Sequence, residues 1–248
     1  MANITHIISD LHLAHDRSDL LLLFEHYMKE IAPKSDQLFV LGDLFELWLG
    51  DDCLQANNPN HQMYLNVVDL LKDYSNKTKS LFFTHGNRDF LLGKEFEKQT
   101  GGKLLDEPFF VELANQRVAL MHGDTLCTDD VAYQELRTMV RDKKWQQEFL
   151  AVPMEKRMEI AAGFKEQSKQ AQRSKTAEIM DVNQQAVIDF FKANAIECLI
   201  HGHTHRQATH DFEVNGESVQ RIVLSDWRAQ GFYLSISNGL ITENYFSA

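Results

Sequence analysis

Apolar residues in this chain come in short unbroken runs that stop abruptly on polar, mostly glycine-bearing ends. THIISDLHL (5–13) begins with a β-branched run and stops at Asp10, and QLFVLGDLFE (37–46) stops at Gly42–Asp43. SLFFTHGNRDF (80–90) stops at Gly86–Asn87, RVALMHGD (117–124) at His122–Gly123–Asp124, and IECLIHGHTH (196–205) at Gly202. Each run has the length of a buried strand. Helix-like stretches over about 17–32 and 60–75 separate the first three, and strands alternating with helices predict a layered α/β fold. The last forty residues differ. THDFEV, SVQRIVLS, GFYLSIS and LITENYF are short strands around Asn215–Gly216 and Asn238–Gly239. Asn-Gly pairs are hairpin signals, so a second, largely antiparallel sheet is expected there. Residues 131–180 carry no strand pattern. Their apolar positions, among them Leu136, Met139, Val140, Trp145, Phe149, Met158 and Phe164, predict a helical insertion between two strand ends.

Composition bounds this picture without changing it. The 248 residues suffice for one domain, 1–248, that carries the insertion. A net charge of −11 speaks against nucleic acid as a partner. The insertion holds ten Lys/Arg against seven Asp/Glu, a net +3, which leaves −14 for the remainder. Three cysteines with no C-x-x-C spacing read as free thiols in a reducing compartment. The N-terminus MANITHIISD shows no secretory pattern, and no run approaches the roughly 20 apolar residues that span a bilayer, so membrane contact is expected only at the surface.

The strand ends carry the chemistry. In layered α/β folds, functional groups collect where loops leave the C-terminal ends of strands. Five ends here present Asp, Asn or His, and four of them have an adjacent glycine. Alone, an Asp-x-His is usually a loop, a Gly-Asp a turn, and a single histidine a core residue; the set of five gives them weight. Oxygen and nitrogen donors without thiolates favour Mn²⁺, Fe²⁺ or Zn²⁺. Seven donors exceed the three protein ligands of a mononuclear catalytic zinc site, so two metals sharing a carboxylate are expected.

In this order, D-x-H, G-D, G-N, H-G-D and G-H-T-H resemble the calcineurin-like metallophosphoesterases over residues 8–205. The resemblance implies a four-layer αββα sandwich with a dinuclear centre. Carried over, Asp10, His12 and His205 bind one metal, Asn87, His122 and His203 the other, and Asp43 bridges them. His201 is then strand-end support, while His6, His15, His26, His61, His85 and His210 are structural or on the surface. Where the family pattern has G-N-H, this chain has Arg88. Arginine cannot donate a proton near neutral pH but can brace phosphate oxygens. That favours a leaving group of low basicity, as in pyrophosphate cleavage; the bland alternative is an Arg88–Asp89 ion pair.

Longer stretches are similar to the UDP-2,3-diacylglucosamine pyrophosphohydrolases of lipid A biosynthesis: GDLFELWLGDD (42–52), HGNRDFLLG (85–93), MHGDTLCTDD (121–130), SKQAQRSKT (168–176), IMDVN (179–183) and HGHTHR (201–206). The resemblance implies hydrolysis of the UDP-lipid to 2,3-diacylglucosamine 1-phosphate and UMP, with two Mn²⁺ per chain and Asp43, Asn87 and Arg88 as the catalytic set. Asn87, Arg88, Asp130, Ser168, Gln172, Lys175 and His203 would contact the substrate, with the insertion acting as a cap. Gln172 departs from the Asn of some members, as do Gln207 from proline and Ser225 from glycine. A monomer in the cytoplasm, touching the inner membrane peripherally, is expected. Two rivals remain: another phosphoesterase chemistry (phosphomonoesterase, cyclic-nucleotide phosphodiesterase or nuclease), or a scaffold that binds without catalysis.

Overall fold

The computed structural model describes residues 3–55, 58–174, 179 and 181–248, with 167–174 described through their helical backbone. The first half winds strand and helix alternately. β1 (Thr5–Ile8) leads to α1 (Ser18–His26), which runs on through a wide π turn at Tyr27–Ile31. β2 (Gln37–Leu41), α2 (His61–Ser75), β3 (Ser80–Thr84), α3 (Lys94–Thr100) and β4 (Lys103–Leu104) follow. β1 through β4 pair in parallel, as crossovers through helices require. All four residues of β1 are buried, as befits a strand covered on both faces.

A hairpin, β5 (Phe109–Leu113) and β6 (Gln116–Met121), opens the second sheet. Three helices then fill most of the predicted insertion: α4 (Val131–Arg141), α5 (Lys143–Leu150) and α6 (Met154–Ser174). α7 (Gln184–Asn194) leads into β7 (Cys198–His201), then β8 (Ala208–Val214), β9 (Glu217–Val223), β10 (Gly231–Ser237) and β11 (Leu240–Phe246). One sheet has the order β11-β10-β1-β2-β3-β4 and the other β5-β6-β7-β9-β8.

The last four strands do not form a sheet of their own, contrary to the sequence expectation. β9 lies parallel to β7 with β8 outside it, while β10 returns to pair antiparallel with β1. Both Asn-Gly turns are present, with positive φ at Asn215, Gly216, Asn238 and Gly239. They dictate local hairpins, whereas sheet membership follows from which apolar face needs covering. Phe232, Leu234 and Ile236 of β10 are buried in the main core beside Ile7 and Ile8.

The period-2 alternation of strands assembles the layers. Val118 and Leu120 of β6 and Cys198 and Ile200 of β7 face the main core shared with the first sheet. Ala119, Met121 and Leu199 point the other way, onto Val187 and Phe191 of α7. Leu20, Leu23 and Phe24 of α1 and Val67, Val68 and Leu71 of α2 cover the outer face of the first sheet. Helix, sheet, sheet and helix are thus stacked in four layers. Among the described residues, no helix is long and apolar enough to cross a membrane.

The insertion is fastened to this sandwich by Arg157 of α6, whose side chain is almost fully buried. Its Nη1 donates to the Leu49 carbonyl at 2.5 Å and to Asp52 Oδ1 at 2.9 Å, and its Nε donates to the Val152 carbonyl at 2.8 Å. Asp51 accepts from the amides of Gly93, Glu95 and Phe96 and so caps α3. The carboxylates that end WLGDD therefore serve the architecture.

Candidate metal centre

All five polar strand ends meet on one side of the joint between the two sheets. Several donors leave their strands through left-handed backbone: Asp10 (φ 55°), His12 (49°), Asp43 (52°), His203 (67°) and His205 (55°). For residues with a Cβ this costs roughly 1–2 kcal/mol each, and such strain persists where the surroundings over-determine it. Two glycines let the loops touch. A Cβ on Gly86 would lie 2.1 Å from Asp43 Oδ1, and one on Gly202 would lie 2.0 Å from Asp10 Oδ2.

The seven sequence-nominated donors form one cluster. One donor atom each from Asp10, His12 and His205 lie within 4.8 Å of one another, as do those of Asp10, Asp43 and His122. Asp43 Oδ2 stands between the halves, 3.7 Å from His12 Nε2 and 3.8 Å from His122 Nε2. Asn87 Oδ1 lies 3.0 Å from His122 Nε2 and 2.9 Å from His203 Nδ1. His201 is not part of this cluster: its Nδ1 donates to the Gly202 carbonyl at 2.9 Å, and Arg221 donates to its Nε2 at 3.1 Å.

Outward hydrogen bonds set the tautomers. His122 Nδ1 donates to the Leu41 carbonyl at 3.0 Å, and His12 Nδ1 donates to Glu46 at 3.1 Å. Each ring therefore turns its Nε2 inward, bare of hydrogen when the ring is neutral. There, His12 Nε2 faces His205 Nε2 at 3.2 Å and His122 Nε2 faces His203 Nδ1 at 3.1 Å. Imidazole nitrogens and two buried carboxylates converging this closely are the chemistry of a cation site, and the nitrogen and oxygen set suits a divalent ion.

Titration behaviour agrees that the pocket is electronegative. Burial opposes charging His122, yet Asp43, Asp10, Asp124 and Glu107 push it up to about 9. Burial likewise opposes charging His205, but Asp10 and Asp226 raise it to about 10. Burial would raise Asp10, but His205, His122 and His12 hold it well below the usual carboxylate range. His203, desolvated and beside His122, falls to about 4.

Several groups that brace the centre were not nominated from sequence. Asp89 accepts from the amides of Leu44 at 2.8 Å, Gly86 at 2.9 Å and Asp43 at 3.2 Å, locking the loops after β2 and β3 together. Its carboxylate is engaged by backbone, so the alternative Arg88–Asp89 ion pair does not form. Instead, the Arg88 amide donates to Asp43 Oδ1 at 2.8 Å, and its buried Nε has no hydrogen-bond partner among the described residues. Asp226 stands 3.4 Å behind His205 Nδ1. Lys165 of α6 donates to Glu46 at 2.9 Å, linking the insertion to His12. A lone acidic residue such as Glu46 carries no spacing signal in the sequence.

The substrate contacts expected from sequence separate into two groups. Asn87, Arg88 and His203 are in the cluster or beside it. Asp130 sits at the N-terminus of α4, where it accepts from the Tyr133 amide at 3.1 Å. Ser168 and Gln172 lie on α6, but their side chains, like all of Lys175, are outside the described residues.

The calcineurin-like phosphoesterase family matches this chain over residues 5–207. A UDP-2,3-diacylglucosamine hydrolase of Chromohalobacter salexigens is 43% identical over 224 residues, 90% of this chain and 89% of that protein. Its namesake from Aeromonas salmonicida is 43% identical over 95% of this chain and 90% of its own length. The Escherichia coli O7:K1 protein of that name is 42% identical over 94% of this chain and 95% of its own length. Among solved structures, a novel archaeal phosphodiesterase is 12% identical with a TM-score of 0.48, covering 99% of both chains. Five polar strand ends meeting around a divalent-cation site, in a chain matched from residue 5 to 207, place it among the calcineurin-like phosphoesterases, as a metal-dependent hydrolase.

Proposed function

We propose that the chain hydrolyses the pyrophosphate bond of UDP-2,3-diacylglucosamine, releasing UMP and 2,3-diacylglucosamine 1-phosphate for lipid A synthesis. In this reading Asp10, His12 and His205 would hold one Mn²⁺ and Asn87, His122 and His203 a second, with Asp43 available to both. The chain works in the cytoplasm at the surface of the inner membrane. The observation that carries the reading is the position of Asp43 Oδ2, at nearly equal distances from His12 and His122. The names of the 42–43% identical relatives supply the substrate.

When bound, the cation pair supplies Lewis acidity toward phosphoryl oxygen and a nucleophile at neutral pH. The chain's own residues supply the rest. Arg88, with its amide tied to Asp43 and its Nε unpartnered among the described residues, braces the phosphoryl oxygens as charge develops. It offers no proton, which suits a phosphate monoester as leaving group, since its second pKa is about 6. Asn87 and His203 orient the phosphate. Asp130, held at the start of α4, and Ser168, Gln172 and Lys175 contact the head group. The insertion α4–α6 is the cap that receives the acyl chains, a role its apolar and basic residues suit.

The test is a product assay on UDP-2,3-diacylglucosamine with Mn²⁺ in ¹⁸O-labelled water. Equal amounts of UMP and lipid 1-phosphate are expected, with the label in UMP and no turnover after chelation. Label in the lipid product would place attack on the wrong phosphorus. Faster hydrolysis of a simple aryl phosphate would favour the phosphomonoesterase rival.

A further inference from the structure

We propose that the groove beside His12 and His205, between the start of α1 and the loop at 226–229, is the subsite for the nucleoside limb of the substrate. This inference rests on the proposed function, because a UDP-lipid has two limbs leaving its pyrophosphate and the contacts given above account for only the acylated one. The groove has a volume of about 670 Å³ and includes His12, His205 and Arg88 in its lining. A phosphoryl group held at the centre therefore opens directly into it.

The chemistry of the walls selects the limb. Arg17, Asp19, Asp226 and Arg228 line the groove, and Leu20 and Trp227 supply its apolar part. An acyl chain gains about 0.8 kcal/mol per buried CH₂ on apolar surface, and charged groups interrupting the apolar part of this wall cut that gain. A pyrimidine nucleoside suits such a wall: it has a flat ring, two carbonyl acceptors, an imide donor and a ribose diol. Both arginines are pre-oriented. Arg17 Nε and Nη2 donate to the two oxygens of Asp19 at 3.0 and 2.8 Å. Arg228 Nε donates to Asp226 at 2.7 Å, and Asp226 in turn backs His205. A guanidinium held by a carboxylate keeps a flat face for stacking and further N–H groups for carbonyl oxygens. Asp19 is a ready acceptor for ribose hydroxyls.

The experiment is calorimetric titration of the Mn²⁺-loaded protein with UMP and, separately, with inorganic phosphate. Both are repeated on the Arg17→Ala/Arg228→Ala variant. The two side chains are 46% and 75% exposed, so the variant should fold. UMP should bind wild type at least about tenfold more tightly than phosphate, and the variant should lose most of that advantage. Its phosphate affinity should stay unchanged. UMP binding no tighter than phosphate, UMP affinity unaffected by the substitutions, or equal losses for both ligands would each overturn the subsite. Turnover of the UDP-lipid is measured on the same wild-type preparation. Its absence would sink the proposed function, while the titration would still decide whether the groove takes a nucleotide.

Discussion

Asp43 shows how much one carboxylate can organise. Its Oδ1 is pinned by the Arg88 amide, which leaves Oδ2 between His12 and His122. Under the proposed function, Asp43→Ala should lower turnover by at least about 10³-fold, or roughly 4 kcal/mol of transition-state stabilisation. Elemental analysis should find fewer than two metals per chain, and near-normal turnover with Mn²⁺ would refute the bridging role. A second residue prediction lies away from the centre. His6 is buried against Tyr27, and burial, then Lys34 and Lys79, lower it to about 4. In the unfolded chain it titrates near 6.5. Below that pH the unfolded state takes a proton that the native state refuses, so stability falls as pH drops from 6.5 toward 4. The slope is about 1.4 kcal/mol per pH unit. Urea unfolding at pH 7 and pH 5 should show the wild type losing about 2 kcal/mol more than His6→Gln over that step. An equal loss in both proteins would exclude His6 as the source. Seven donors could be read from the sequence because each closes an apolar run at a strand end. Asp89, Asp226, Glu46 and the Leu41 carbonyl could not, because their partners come from other loops and no local pattern marks them.

Elements were legible where burial is continuous and obscure where it alternates or ends early. β1, β2, β3, β6 and β7 lie where the apolar runs predict strands, and α1 and α2 match the expected helical stretches within a few residues. β5 was not predicted. It is an edge strand with alternating exposure, and its turn uses positive φ at Ala114 and Asn115, a conformation that alanine does not advertise. The partition of the C-terminal hairpins was also hidden, because an Asn-Gly turn joins two strands without naming their sheet. The insertion was legible as helical, but its fastening was not, since Arg157 reads as one more charge on a helix. Arg157→Met removes the donors to Leu49, Asp52 and Val152. Amide exchange in α6 should then quicken at least about tenfold while β1–β3 stay protected. Uniform acceleration across the chain, or none in α6, would show that the insertion is held elsewhere.

At the scale of the whole molecule, the centre sits where two sheets end. Donors from the loops after β1, β2 and β3 belong to one sheet, and those after β6 and β7 to the other. A cation bound among them ties both together, so its binding energy adds to folding stability. A ligand at a hundred times its dissociation constant contributes about 2.7 kcal/mol. For a chain of this size that corresponds to a rise in Tm of roughly 5–10 °C. Calorimetry with Mn²⁺ and then with excess chelator should show that difference, and coincident transitions would mean that the sheets do not depend on the ion.

The pairing of β10 with β1, and of His205 with His12, joins an early strand to a late one. During translation the first candidate cation ligands, Asp10 and His12, emerge almost two hundred residues before His203 and His205. Until the final hairpins leave the ribosome, the opening strand lacks a neighbour on one flank and the pocket lacks a wall. Under the proposed function, ion capture therefore waits for those late strands, and a product truncated before them should carry little metal however well its early helices form.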